Sequence, residues 1–137
     1  MGRLEAGGVA RMMPSAPPAI ADVLDRLGAF RLPIGRELAF QDAVAEILTR
    51  SRIPFEREYD LRGGRGRIDF YVPVLRLGLE LKVKGSPSDV VRQLQRYTSS
   101  SEIEVLVLVT GRARLGAMPS TLGGKPLHVA AVWRGQF

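Results

Sequence analysis

Three residues carry the chemistry that this chain can offer. Asp69 lies in the run Arg67-Ile68-Asp69-Phe70-Tyr71-Val72, and Glu80 and Lys82 lie in Gly78-Leu79-Glu80-Leu81-Lys82-Val83-Lys84. Side chains on a strand alternate with period two, so Glu80 and Lys82 share a face. If the two runs are neighbouring strands, Asp69 stands near Glu80. Two carboxylates and an ammonium then converge on one spot. Carboxylate oxygens suit a hard divalent cation such as Mg2+ or Mn2+, and a lysine beside it can orient or activate water. That is the equipment of phosphodiester hydrolysis. The plain alternative is that Glu-x-Lys forms the wet face of an amphipathic strand.

What favours a site is the run Val105-Leu106-Val107-Leu108-Val109, apolar on both faces, which marks a central strand covered on both sides. With Leu79, Leu81 and Val83 packed into one layer, Glu80 and Lys82 point into the other covered layer. Charges there are costly unless paired or metal-bound. A helix from about Glu37 to Arg50 carries the apolar stripe Phe40, Val44, Ile47 and Leu48; Glu37 falls on that stripe and Glu46 on the opposite side. Glu37 is either a third acid for the site or a first-turn acid favoured by the helix dipole. A second helix, about Pro87 to Ser99, starts at a Ser86 cap and turns Val90, Val91, Leu94 and Tyr97 inward. Gln93 and Tyr97 sit four apart on one face, able to hold water or phosphate or to finish the edge of the core; spacing alone favours the latter.

Phe55 to Leu61 alternates into an edge strand with one wet face, Glu56, Glu58 and Asp60. The hairpin loop Arg62-Gly63-Gly64-Arg65-Gly66-Arg67 then offers glycines that let a phosphate approach and arginines whose fork matches it, unless it is only a solvated turn. Arg62, Arg65, Arg67, Lys84, Arg112 and Arg114 would track a nucleic-acid backbone without reading bases. The sole histidine, His128, has no histidine or cysteine companion and reads as structural. Leu127 to Trp133 reads as a terminal strand, and Ile20, Val23, Leu24 and Leu27 as a short outer helix beginning near Pro18 and stopped by Gly28.

At 137 residues and 45% hydrophobic content, the chain is expected to form one α/β domain over 18–137, a central mixed sheet flanked by helices, behind a flexible tail at 1–17. The net charge of +6 points to an anionic partner, nucleic acid before a membrane surface. No apolar run is long enough to span a bilayer, and zero cysteines exclude a disulfide framework and thiolate chemistry. These features predict an intracellular, cytoplasmic protein.

The order of elements, joined to Ile68-Asp69, ten intervening residues and Glu80-Leu81-Lys82, resembles the PD-(D/E)XK nuclease superfamily over roughly 37–109. Ile68 stands where that signature often has proline. The resemblance implies a restriction endonuclease-like αβββαβ core. It implies that Asp69 and Glu80 bind Mg2+ or Mn2+ together with the Leu81 carbonyl, that Lys82 acts on the water, and that Glu37 is the acid of the first helix. Gln93-Leu94-Gln95-Arg96-Tyr97 looks like the Q-x-x-x-Y element of the RecB-like branch, which brings Gln93 and Tyr97 into the site. The implied activity is cleavage of DNA, with RNA left open, by a structure-selective endonuclease of Holliday junction resolvase type, whose relatives act as homodimers. An exonuclease and a non-catalytic DNA-binding protein on the same fold are the alternatives.

Overall fold

The structure, a computed structural model, describes residues 19–29, 36–111, 115 and 117–131. The element order is α1 (Ile20–Gly28), α2 (Glu37–Arg50), β1 (Glu56–Asp60), β2 (Arg67–Val72), a 3-10 turn at Pro73–Leu75, β3 (Leu77–Lys82), α3 (Pro87–Thr98), β4 (Val105–Thr110), β5 (Thr121–Leu122) and β6 (Lys125–Ala131). Together these form a single α/β domain, a mixed sheet ordered β1-β2-β3-β4-β6-β5. β1, β2 and β3 run antiparallel as successive hairpins, whereas β4 lies parallel to both β3 and β6. Parallel neighbours need a crossover, and α3 supplies the one between β3 and β4. Among the described residues no helix is long and apolar enough to cross a membrane.

Period-two alternation divides the core into two layers. Leu77, Leu79 and Leu81 of β3 and Val105, Val107 and Val109 of β4 pack with Val23 and Leu27 of α1 and with Phe40, Val44 and Leu48 of α2. On the other face, Leu106 and Leu108 of β4 meet Val90, Leu94 and Tyr97 of α3. β4 is buried along its whole length, as a strand apolar on both sides must be. Ser86 caps α3, its hydroxyl accepting from the Asp89 amide at 3.2 Å.

The segment before the last strand holds an element that the sequence reading does not include. Leu122 pairs with Lys125 around Gly123 and Gly124, both at positive φ, so a two-residue hairpin adds β5 and starts β6 at Lys125. Consecutive left-handed residues match the twist of such hairpins, and glycine adopts them without a Cβ penalty. Pro18, the 1–17 tail, Arg112, Arg114 and the strand's expected end at Trp133 lie outside the described residues.

Candidate active site at the break between two strands

Asp69 interrupts both ladders that β2 makes. Toward β1, Arg57 pairs with Phe70 and Tyr59 with Ile68, but Glu58 and Asp69 between them do not pair. Glu58 takes φ 49°, a left-handed backbone uncommon for a side chain with a Cβ. Toward β3, pairing runs from Val72 with Leu77 to Phe70 with Leu79 and stops one step short of Asp69 and Glu80. The inward alternation also slips here: Phe70 and Val72 pack on the α2 side, Ile68 on the α3 side. Ile68 lies over Gly78, where an added Cβ would meet its Cδ1 at 2.3 Å.

Carboxylates take over the hydrogen bonds that the ladder gives up. The Asp69 amide donates to Glu80 Oε1 at 3.2 Å, and the Leu81 amide donates to Asp69 Oδ2 at 2.9 Å. Asp69 Oδ1 receives Gln41 Nε2 from α2 at 3.4 Å. Lys82 Nζ stands 3.6 Å from Glu80 Oε2, its side chain 26% exposed against 4% for Glu80. The charged triplet is therefore shared between the layers: Asp69 reaches the α2 side, while Glu80 reaches Tyr97 on the α3 side.

Burial works against ionising both acids at once. Glu80 is pushed up to about 8, first by burial and then by the Asp69 charge, with Lys82 pulling the other way. Asp69 is also raised, chiefly by burial, while the Leu81 amide and Lys82 oppose the shift. A cation placed between the two carboxylates would favour the ionised form of both. An oxygen-only donor set of this kind suits a hard cation such as Mg2+ or Mn2+. Asp69 and Glu80 supply carboxylate oxygens of that kind, and the Leu81 amide bonded to Asp69 Oδ2 brings that residue's main chain beside them. No set of three or more His, Cys, Asp or Glu side chains among the described residues forms a ready-made metal cluster, so further ligands would come from main chain, water or substrate.

The other predicted residues divide. Gln93 Nε2 donates to the Tyr97 hydroxyl at 2.9 Å, and that hydroxyl donates to the Arg67 carbonyl at 2.9 Å. Tyr97 is fully buried and borders Glu80, so the pair belongs to the site's wall. Gly66, at φ 110°, lets the ring approach: a Cβ there would lie 2.9 Å from Tyr97 Cε1. This glycine of the basic loop serves packing. Glu37, expected on the buried edge of its helix, is exposed, because it is the first residue of α2 and precedes the turn at which Phe40 enters the core. It reaches Asp69 only as a nearby negative charge. Glu46 pairs with Arg50 on the outer face.

Among the basic residues, Arg67 is engaged by Asp60 at 3.1 Å and Glu58 at 3.6 Å, and Arg62 is tied by its amide to Glu102 at 2.9 Å. Arg65 and Lys84 are exposed and make no ion pair with a described residue. Glu102, which the sequence does not single out, anchors this loop. It also takes the hydroxyl of Tyr59, while its carbonyl accepts from Tyr71 at 2.7 Å, the two rings stacked at 4.6 Å. Gln41 was legible as a polar side chain on the α2 stripe, one helical turn beyond Glu37 and in step with Val44 and Leu48. Arg57 was legible as the one charged residue on the strand face that Phe55, Tyr59 and Leu61 share.

Comparison with known proteins adds no relative: no family model, curated protein or solved structure matches the chain.

Proposed function

We propose that this chain is a metal-dependent deoxyribonuclease of PD-(D/E)XK type that hydrolyses phosphodiester bonds. One observation carries the reading: Asp69 and Glu80 meet where the β2–β3 ladder stops, with the Lys82 ammonium 3.6 Å from Glu80. A decorative strand face has no use for a buried acid whose affinity for its proton is raised so far. The succession α2, β1 to β3, α3 and β4 agrees with the αβββαβ order that the resemblance implies, and this supports the same reading.

Asp69, Glu80 and the Leu81 carbonyl would hold Mg2+ or Mn2+. Such an ion, when bound, polarises the scissile phosphate and lowers the pKa of a coordinated water. Lys82, partly open to solvent, positions the attacking water and counters negative charge as it builds on the phosphate. Tyr97 and Gln93 close the α3 side and keep Glu80 out of bulk water. Arg65 and Lys84, exposed and without an ion pair to a described residue, offer cations to the DNA backbone, contacts that position a duplex without reading base edges. Backbone contacts of this kind support selection by DNA shape, as in a junction-resolving endonuclease. The Gln93–Tyr97 hydrogen bond favours a second reading, a RecB-like nuclease acting at DNA ends.

The deciding experiment incubates the protein with linear, nicked, single-stranded and four-way DNA, with and without Mg2+ or Mn2+. Metal-dependent cleavage that disappears in Asp69→Asn, Glu80→Gln and Lys82→Ala supports the hydrolase, and a requirement for a free end selects the second reading. Binding without cleavage in every condition overturns both.

A further inference from the structure

We infer that Gln41 is a positioning residue for Asp69 and that Arg57 sets which way Gln41 faces. The inference rests on the proposed nuclease site and names a control on its cation binding. Gln41 is 7% exposed on the buried stripe of α2, with Nε2 3.4 Å from Asp69 Oδ1 and Oε1 3.3 Å from the Arg57 guanidinium. A carboxamide can sit either way round, and here its neighbours decide. A guanidinium only donates, so the atom facing Arg57 is the oxygen, and the amide NH2 is left for the carboxylate. Arg57 is itself held from two further sides, by Asp42 at 3.0 Å and by the Phe70 ring with its centroid 5.6 Å away.

The Leu81 amide holds Asp69 Oδ2 while Gln41 holds Oδ1. With a donor on each oxygen, the carboxylate cannot rotate without breaking one of the two bonds. Partners of this kind orient ligands before the ion arrives. Arg57 thus acts on Asp69 through Gln41, from a strand at the edge of the sheet.

The test is Mn2+ binding to the full chain, without DNA, by isothermal titration calorimetry. Gln41→Leu keeps the buried stripe apolar and removes the amide, and Mn2+ affinity should fall roughly ten-fold or more. Arg57→Met, which keeps a stem over Phe70, should weaken binding in the same direction, and the double variant should be no weaker than Gln41→Leu alone. Unchanged affinity in Gln41→Leu overturns the inference while leaving the nuclease reading intact. Additive losses overturn the role given to Arg57. Should Gln41→Leu fail to fold, Arg57→Met at the exposed edge decides, unchanged affinity there again overturning the inference. A wild-type chain that binds no Mn2+ without DNA overturns the inference, and the cleavage assay with DNA and Mn2+ decides the nuclease reading separately.

Discussion

The main-chain amide of Asp69 is held by the side chain of Glu80, at 3.2 Å. One acid therefore fixes the backbone of the other, and Glu80 has a structural duty in addition to any chemical one. Its carboxyl is pushed up to about 8 from an ordinary value of 4.5 by burial and by Asp69. The folded state holds this proton more tightly than the unfolded state, so the stabilisation is complete below about 4.5 and is lost as pH rises toward about 8. Thermal unfolding in EDTA should show the midpoint falling across that window. Glu80→Gln keeps an acceptor for the Asp69 amide and removes the titration, so it should flatten this dependence and be the more stable protein at pH above 8, while losing cleavage. A wild-type midpoint that is flat or rises through that window contradicts the account.

Lys82 is the one cation within 4 Å of Glu80 among the described residues. Lys82→Met removes charge from a half-buried position and leaves the strand register intact. Cleavage should fall roughly 100-fold or more, the scale of positioned acid–base groups. Circular dichroism of the variant should remain native. Full activity would remove Lys82 from the mechanism.

DNA binding should separate the basic residues by what already holds them. Arg67 is engaged by Asp60 and Glu58, whereas Arg65 and Lys84 are exposed and make no ion pair with a described residue. Each phosphate contact contributes about one to the slope of log affinity against log salt. Arg65→Ala and Lys84→Ala should each reduce that slope by about 1, and Arg67→Ala by less. Binding measured between low and physiological salt in the presence of Ca2+ reads this out. An Arg67 effect equal to the other two would mean that DNA displaces Asp60 and Glu58.

Much of this arrangement was legible in the chain, and the exceptions have physical causes. Two carboxylates on consecutive strands around a short turn meet by hairpin geometry alone, and alternation places Glu80 opposite the Leu79 and Leu81 layer. Glu37 was misplaced because a helix's first residue lies ahead of the face that its later turns bury. Gln41, a turn further on, satisfies the same periodicity and is buried. The stop in pairing at Asp69 is a tertiary event: it depends on the left-handed Glu58 and on carboxylates replacing ladder partners, and no local propensity encodes either. Gly66 reads as a loop residue open to phosphate until Tyr97 is seen against it.

Gly78 gives the most direct test of how the break is held. A Cβ there would meet Ile68 Cδ1 at 2.3 Å, Ile103 Cδ1 at 3.0 Å and Leu106 Cδ2 at 3.1 Å, in a fully packed layer. Gly78→Ala should destabilise by about 1–3 kcal/mol, the usual cost of overpacking. The nearest clash is with one methyl carbon, and Ile68→Val removes that carbon. The double variant Gly78→Ala, Ile68→Val should therefore be more stable than Gly78→Ala alone, although Ile68→Val by itself destabilises by about 0.5–1.5 kcal/mol. Ile68 immediately precedes Asp69, so Gly78→Ala should also weaken Mn2+ binding and the double variant restore it. Additive losses in urea unfolding would show that Ile68 does not rest on Gly78, and the packing offered for the slip at Asp69 would fall with it.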